Sequence, residues 1–492
     1  MSQNLPSPYS DETPSAYAAR LGEWYIAKYG TKKALGQYFT PRPVASFMAN
    51  LLLPSQGYKR VLDPCAGTGI LACSACEILS EDIDLVVYEV DSDLAIYLEA
   101  SLQYLKMWMQ ARQRVLRFEI IRGDFIMAQA WALQWSSTNI FDVVIINPPY
   151  FKLAKTDMRA KAAAVIIHGQ PNIYAIFMAL SAALLKENGQ LVCLTPRSYA
   201  SGQYFKQFRQ FFFGKVSPKA VHLFESRRDL FNNVLQESII LLAERTHHNS
   251  LVRVSTSTSA TDLSECVIQH LPLSEVLKDN ILHLATSEEQ ATTLARVRGW
   301  SARLHDYGLR VSTGPVVAFR ATHFVTATGN VPETHAPLLW MQNVRPMRVL
   351  WTLPHEGQYI LRQGAEKLLI PNQNYVLIRR FTAKEEQQRL VAAAYLAHLE
   401  TPLIGLENHL NYIHRPGGYL SVEEAQGFAA LLNSQLMDGY FRTFNGNTQV
   451  SATELMALPL PPLDAIREMG RRVLEGIVDC DALVADVLNV YV

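Results

Sequence analysis

The sequence predicts an α/β fold: a doubly wound, mostly parallel sheet followed by an α+β domain. Three observations predict it. From about residue 36 to 246, short β-rich runs alternate with amphipathic helical stretches, the signature of crossover units. The first β-rich runs are continuously apolar, as strands covered by helices on both faces must be. The alternation then stops at a polar stretch containing STSTSA (255–260), beyond which the pattern is mixed. In chain order, a polar leader precedes a short amphipathic helix, AYAARLGEWYIAKYG (16–30). Strands are expected at VLDP (61–64), LVVYEV (85–90), FEIIRGDF (118–125), FDVVIINPP (141–149), GQLVCLTP (189–196), AVHLFES (220–226) and SIILLAER (238–245). Helices are expected between them at 70–79, 92–110 and 172–187, and later at 383–400, 421–435 and 463–478. The organisation read from this is a leader and helix (1–35), a main α/β domain (36–246), a linker (247–300) and a last domain (301–492).

Composition narrows the classes. Of 492 residues, 49% are hydrophobic and 18% charged, which excludes disorder over most of the chain. The longest apolar stretch, Ala175 to Leu185, falls short of the roughly 20 residues a membrane helix needs, so no membrane partner is expected. The start, MSQNLPSPYSDETPS, has neither the basic nor the apolar part of a secretory signal. Six cysteines without framework spacing fit a reducing, cytoplasmic setting. Cys73 and Cys76 form a C-x-x-C with no second pair nearby, read as core packing, and no metal is expected. Lys plus Arg and Asp plus Glu are both 45. That neutrality does not exclude a polyanion, because binding depends on where the cations sit.

The chemistry lies at successive strand ends, where open α/β sheets bind ligands. Asp63-Pro64-Cys65-Ala66-Gly67-Thr68-Gly69 follows the first strand and opens a helix; its glycines let the backbone approach a ligand closely. Glu89 ends the second strand, placed to accept two hydrogen bonds from a ribose diol. Asp124 and Phe125 follow the third, an acceptor for an exocyclic amine beside a ring that can pack on a base. Any one of these could be an ordinary strand end; three in order are harder to explain that way. The sharpest signal is Asn147-Pro148-Pro149-Tyr150 after the fourth strand. Two prolines stiffen the backbone and remove two N–H donors, so the loop offers carbonyl acceptors, and Asn147 adds its side-chain oxygen. Together they can hold both hydrogens of a planar amine, with Tyr150 as a stacking face.

LGQYFTP (35–41), DPCAGTG (63–69), NPPY (147–150) and the intervening acids resemble, in this order, the motifs of the gamma-type DNA adenine-N6 methyltransferases of restriction–modification systems. The resemblance covers about 36–246. It implies a Rossmann-like methyltransferase sheet, S-adenosyl-L-methionine as cofactor, double-stranded DNA as partner, and a C-terminal domain that recognises the target sequence. It implies that Thr40 and Pro41 line the methionine end of the cofactor. Asp63, Pro64, Cys65, Ala66 and Gly67 run beneath it, Glu89 holds the ribose, Asp124 and Phe125 hold the adenine, and Asn147 borders it. Asn147, Pro148, Pro149 and Tyr150 would grip a flipped-out adenine, with Phe231 stacking on its other face. The order Cys65-Ala66 departs from the family's commoner Ala-Cys. A cognate restriction endonuclease is expected as a separate protein.

For DNA contact, Arg197, Lys206 and Arg209 lie in a basic, aromatic-rich segment, 197–228, whose competing reading is a solvated helix face. LRVSTGPVVAFRATHF (309–324) resembles the opening of the recognition domain in these enzymes. There Arg320, Asn343, Arg345 and Asn447 are candidates, because Arg and Asn can make paired contacts to base edges. A hydrogen-bonded turn or a phosphate contact competes with base readout for each. Other acceptors stay open: cytosine N4, an RNA adenine or a protein glutamine, as does a non-catalytic DNA-recognition subunit.

Overall fold

The computed structural model describes residues 5–30, 39–53, 57, 59–134, 140–167, 171–200, 203–224, 238–246, 251–260, 262–264, 266–285, 288–327, 333–351, 357–382, 386–445 and 449–491. Phe231, Asn447 and residues 35–38 of LGQYFTP lie outside them. The chain divides into two units, Met1–Thr286 and Ser287–Val492.

The first unit opens with α1 (Pro14–Tyr29) and α2 (Arg42–Asn50). It continues through β1 (Lys59–Asp63), α3 (Ile70–Ile78), β2 (Ile83–Glu89), α4 (Ser92–Gln110), β3 (Leu116–Arg122), α5 (Phe125–Gln129) and β4 (Phe141–Ile146). Then come α6 (Met158–Ala162), α7 (Ile173–Leu184), β5 (Leu185–Pro196), α8 (Lys206–Phe213), β6 (Ser217–Phe224), β7 (Ser238–Glu244), β8 (Leu251–Ser257) and β9 (Val267–Pro272). The sheet order is β3-β2-β1-β4-β5-β7-β6-β8-β9. From β3 to β5 every pairing is parallel; β7 then inserts antiparallel between β5 and β6. The expected parallel sheet is therefore the half that carries the motifs, and the far half is mixed.

Two apolar layers cover the faces. Leu62, Val144 and Ile146 point into one with α7 and α8, while Val61, Val143 and Ile145 point into the other with α2, α3 and α4. This is why consecutive residues of β1 and β4 are both buried, and why they read as unbroken apolar runs. Cys73 and Cys76 are fully buried in the second layer. The strand order reverses between β1 and β4, so a crevice opens at their carboxyl ends.

Two expectations are corrected. The segment 247–300 is not a linker: β8 pairs parallel with β6, β9 pairs with β8, and Glu288–Arg298 is a helix of the second unit. Ser255, Thr256 and Ser257 of its polar stretch are strand residues, and Ser255 and Ser257 hydrogen-bond the two ring nitrogens of buried His222 at 3.0 and 3.1 Å. Over the described residues 386–400 of the expected helix 383–400 there is no helix; Ala392–Leu396 is a strand paired antiparallel with Asn374–Arg379. Its alanines favour a helix in isolation, but strand pairing and the overlying helix Val422–Asn433 override that. Asn433 clasps the strand backbone, accepting from Ala392 N (3.2 Å) and donating to Ala392 O (2.7 Å).

The second unit is α+β. A four-stranded antiparallel sheet runs in the order Arg310–Thr313, Leu410–His414, Asn374–Arg379, Ala392–Leu396, beside a mixed five-stranded sheet. Helices Val422–Asn433 and Leu463–Leu474 match the expected spans closely and pack so tightly that a Cβ on Gly427 would fall 1.8 Å from Ile466 O. Among the described residues, no helix is long and apolar enough to cross a membrane.

Candidate active site

A cleft of about 900 Å³, counting the solvent at its mouth, has a wall formed by residues from the strand ends β1, β2, β3 and β4. Eight predicted residues line it: Pro64, Cys65, Gly67, Glu89, Asp124, Phe125, Asn147 and Pro149. The turn after β1 is open because Gly67 and Gly69 take positive φ, +59° and +87°. A Cβ on Gly67 would meet nothing within 4 Å, so the backbone is accessible from the cleft. A Cβ on Gly69 would lie 2.9 Å from Leu98, so that glycine serves helix packing.

Glu89 is held by backbone. Its Oε2 accepts from Gly67 N at 2.9 Å and its Oε1 from Asp91 N at 2.8 Å. Each oxygen keeps a further lone pair, which a diol can use. Burial pushes the Glu89 carboxyl up to about 7, against the pull of those amides. Asp63, fully buried beneath the turn, is likewise raised to about 7 by burial, with Glu89 adding to the shift. Asp124 caps α5, accepting from Met127 N at 3.0 Å, and Phe125 stacks on Phe177 with ring centres 5.4 Å apart.

The loop after β4 is tied to the turn after β1. The Cys65 thiol donates to Asn147 O at 3.2 Å, and burial keeps that thiol protonated by raising its pKa well above normal. The Cys-Ala order thus gives this chain a side-chain tie between the two loops. Asn147 Nδ2 donates to Thr40 Oγ1 at 3.0 Å. Engaging the amide nitrogen there leaves Oδ1 as the acceptor, with the Tyr150 hydroxyl donating to it. Tyr150 OH also lies 2.9 Å from Leu194 O. An amide oxygen with two lone pairs can serve Tyr150 and one amine hydrogen together.

Not every predicted residue reaches the wall. Thr40 acts through Asn147; Pro41 caps α2, its carbonyl accepting from Ala45 N at 3.0 Å. Asp63, Ala66, Pro148 and Tyr150 are not wall residues. Arg197 and Arg209 are 8% and 5% exposed, and Arg209 Nη1 donates to Tyr199 O at 3.1 Å. Buried in this way, they are not presented to a phosphate; Lys206 on the same segment is exposed. Asn343 is buried as well, its oxygen accepting from Trp340 N and its nitrogen donating to Leu350 O, so it caps its own turn. Arg320 and Arg345 are exposed.

Sequence reasoning missed Phe39, Val90, Phe151, Arg159 and Phe177 on the wall. Arg159 is held by Asp157 at 3.0 and 2.6 Å and lies 3.8 Å from Asp124. The pair Asp157-x-Arg159, beginning seven residues past NPPY, was the available signal. Phe177 offered none, since it looks like any apolar residue of α7. Among the described residues, no cluster of His, Cys, Asp and Glu could hold a metal ion.

Residues 96–231 match the family described as the Eco57I restriction-modification methylase. The chain is 33% identical over 461 residues to the type II methyltransferase M.PstI of Providencia stuartii, covering 90% of each chain. It is 33% identical over 468 residues to the type II methyltransferase M.BsuBI of Bacillus subtilis, covering 91% of each. The fold is also that of the type IIL restriction-modification enzyme MmeI, solved in complex with DNA, at a TM-score of 0.52 and 10% identity over 96% of this chain and 72% of that one. With Glu89, Asp124, Asn147 and Pro149 on one cleft and relatives matched over nine-tenths of their length, the chain belongs to the type II methyltransferases of restriction–modification systems.

Proposed function

We propose that this DNA methyltransferase transfers a methyl group from S-adenosyl-L-methionine to N6 of an adenine flipped out of duplex DNA, protecting that DNA from a cognate endonuclease on a separate chain. One observation carries the reading: a single cleft has Glu89 and Asp124 together with Asn147 and Pro149 on its wall. The open backbone at Gly67 and the acceptor capacity of Glu89 fit a nucleoside-bearing cofactor.

The cofactor, when bound, supplies a methyl group on a sulfonium. The chain's residues do the rest by positioning and electrostatics. Glu89 accepts from the ribose hydroxyls, Asp124 accepts from the cofactor's exocyclic amine, and Phe125 packs beside its ring. The Asn147 oxygen and the Pro148 carbonyl accept the two hydrogens of the target amine, which draws its lone pair out of conjugation. Thr40 keeps the Asn147 amide in the orientation that exposes oxygen. A paired base cannot bring its amine into such a cleft, so it must leave the stack. Residues 301–492 supply target recognition, with Arg320 and Arg345 exposed for contact.

The test is transfer of labelled methyl from S-adenosyl-L-methionine to duplex DNA, followed by digestion to nucleosides. N6-methyladenine is the expected product. Label in N4-methylcytosine, in RNA alone or in protein glutamine, or no transfer to duplex DNA, overturns the reading.

A further inference from the structure

Glu89 is oriented by two backbone amides, Gly67 N and Asp91 N, one from each flanking turn. Both turns are anchored to the same element, α1. On one side, Thr68 Oγ1, the residue after Gly67, donates to Ala18 O at 2.8 Å. On the other, Tyr25 OH donates to Asp91 Oδ2 at 2.7 Å. Asp91 spends its other oxygen on the start of α4, accepting from Asp93 N at 3.0 Å. Ala18 and Tyr25 are fully buried, and Thr68 and Asp91 nearly so, so neither bond is exchanged easily for water.

The helix is fixed in its turn. Ser15 N and Oγ donate to the two oxygens of Glu77 on α3 at 2.7 and 2.8 Å. Gly22 lets it sit close: a Cβ there would be 3.3 Å from Phe39, a wall residue of the cleft, and 3.5 Å from Thr68 Oγ1. None of the strand-end motifs includes α1, yet α1 reaches both supports of their central carboxylate.

The geometry points to α1 as a positioning element of the cofactor site, in which Tyr25, through Asp91, and Thr68, through its bond to Ala18, hold the two amides that aim the Glu89 carboxylate at the cofactor ribose. This rests on the reading that Glu89 takes the ribose hydroxyls. Removing either bond frees one amide to shift, so the grip on the diol weakens while Asn147 and Pro148 are untouched.

Tyr25→Phe deletes only a hydroxyl. Binding of S-adenosylhomocysteine and of its 2′,3′-dideoxyribose analogue is measured by titration calorimetry for wild type and variant. The variant is expected to lose about tenfold in affinity for S-adenosylhomocysteine and less than twofold for the analogue. KM for S-adenosyl-L-methionine should rise by a similar factor, with a smaller change in kcat. Equal losses on both ligands, or no loss on either while wild type prefers the diol, overturns the role of α1 and leaves Glu89 in place. If wild type itself binds both ligands equally, the ribose reading fails and this inference with it. Should Tyr25→Phe fail to fold, Thr68→Val and Thr68→Ser decide. Valine should reproduce the diol-selective loss and serine should restore it; a valine variant with wild-type diol preference overturns the inference.

Discussion

In the N-terminal unit, most polar residues singled out at strand ends converge on one cleft. In the C-terminal unit, Asn343 turns inward to cap its own turn, while Arg320 and Arg345 stand exposed. The difference lies in what fixes direction. A parallel sheet with a strand-order reversal brings the carboxyl ends of β1, β2 and β4 together, so a residue just past any of those strands has its location set by topology. The small strands and turns of the second unit impose no such convergence. An Asn there is as well used by its own backbone as by a partner. The 197–213 segment sits between the two cases: Lys206 is exposed, but Arg197 and Arg209 are buried, and burial lowers the Arg197 pKa to about 10.

That contrast can be broken at its strongest point first. Asn147→Ala should cut methyl transfer to duplex DNA by about 10³-fold, while affinity for S-adenosylhomocysteine stays within a few-fold. Single-turnover transfer with calorimetry checks both, and near-normal turnover would remove the loop from the chemistry. Glu89→Gln should show the opposite split, losing about 10- to 100-fold in cofactor affinity with the loop intact.

The pH dependence sharpens the picture of a buried carboxylate site. Glu89 and Asp63 are raised to about 7 by burial. A carboxyl whose folded pKa exceeds its unfolded one stabilises the fold at low pH, and that contribution is lost as pH rises through about 7. The unliganded protein should therefore lose melting temperature as pH rises from about 4, where the unfolded carboxyls ionise, to about 7, and change little above that. Cofactor affinity should rise by about tenfold as pH rises through about 7, where Glu89 ionises in the folded protein and can accept the diol. Both curves moving the same way would contradict the assignment.

The smallest effects test the exposed cations. Lys206→Ala and Arg345→Ala should weaken DNA binding a few-fold and flatten its salt dependence by about one counterion each. Arg209→Ala should instead lower stability by about 1–3 kcal/mol, because Tyr199 O loses its buried donor. Salt titrations of DNA binding beside denaturant melts separate the two classes. A wild-type melt for Arg209→Ala would return that arginine to the DNA face.

Legibility from sequence followed local physics. The runs of β1, β2 and β4, the Asn/Pro loop, the helix Val422–Asn433 with its Ser421–Glu424 capping box and the helix Leu463–Leu474 behind Pro462 are readable because period and punctuating residues agree there. The stretch 383–400 was misread because alanine-rich sequence favours helix alone, whereas Ala392–Leu396 is held as a strand by pairing and by Asn433. The stretch 247–300 was misread because serines and threonines look like a linker until His222 appears between them. Arg159 and Phe177 reach the cleft only because α6 and α7 fold back beside α5.

By itself the sequence determined the Asn147–Tyr150 loop, the order of the strand-end acids and the class of reaction they suit, since each depends on residues adjacent in the chain. Only the tertiary structure decided that Glu89 is braced from α1, that Thr40 holds the Asn147 amide, that Cys65 ties the turn after β1 to the loop after β4, and that two expected DNA-facing arginines are interior. Those facts join residues as many as 107 positions apart, and no local period or spacing encodes which distant groups will meet when the helices settle on the sheet.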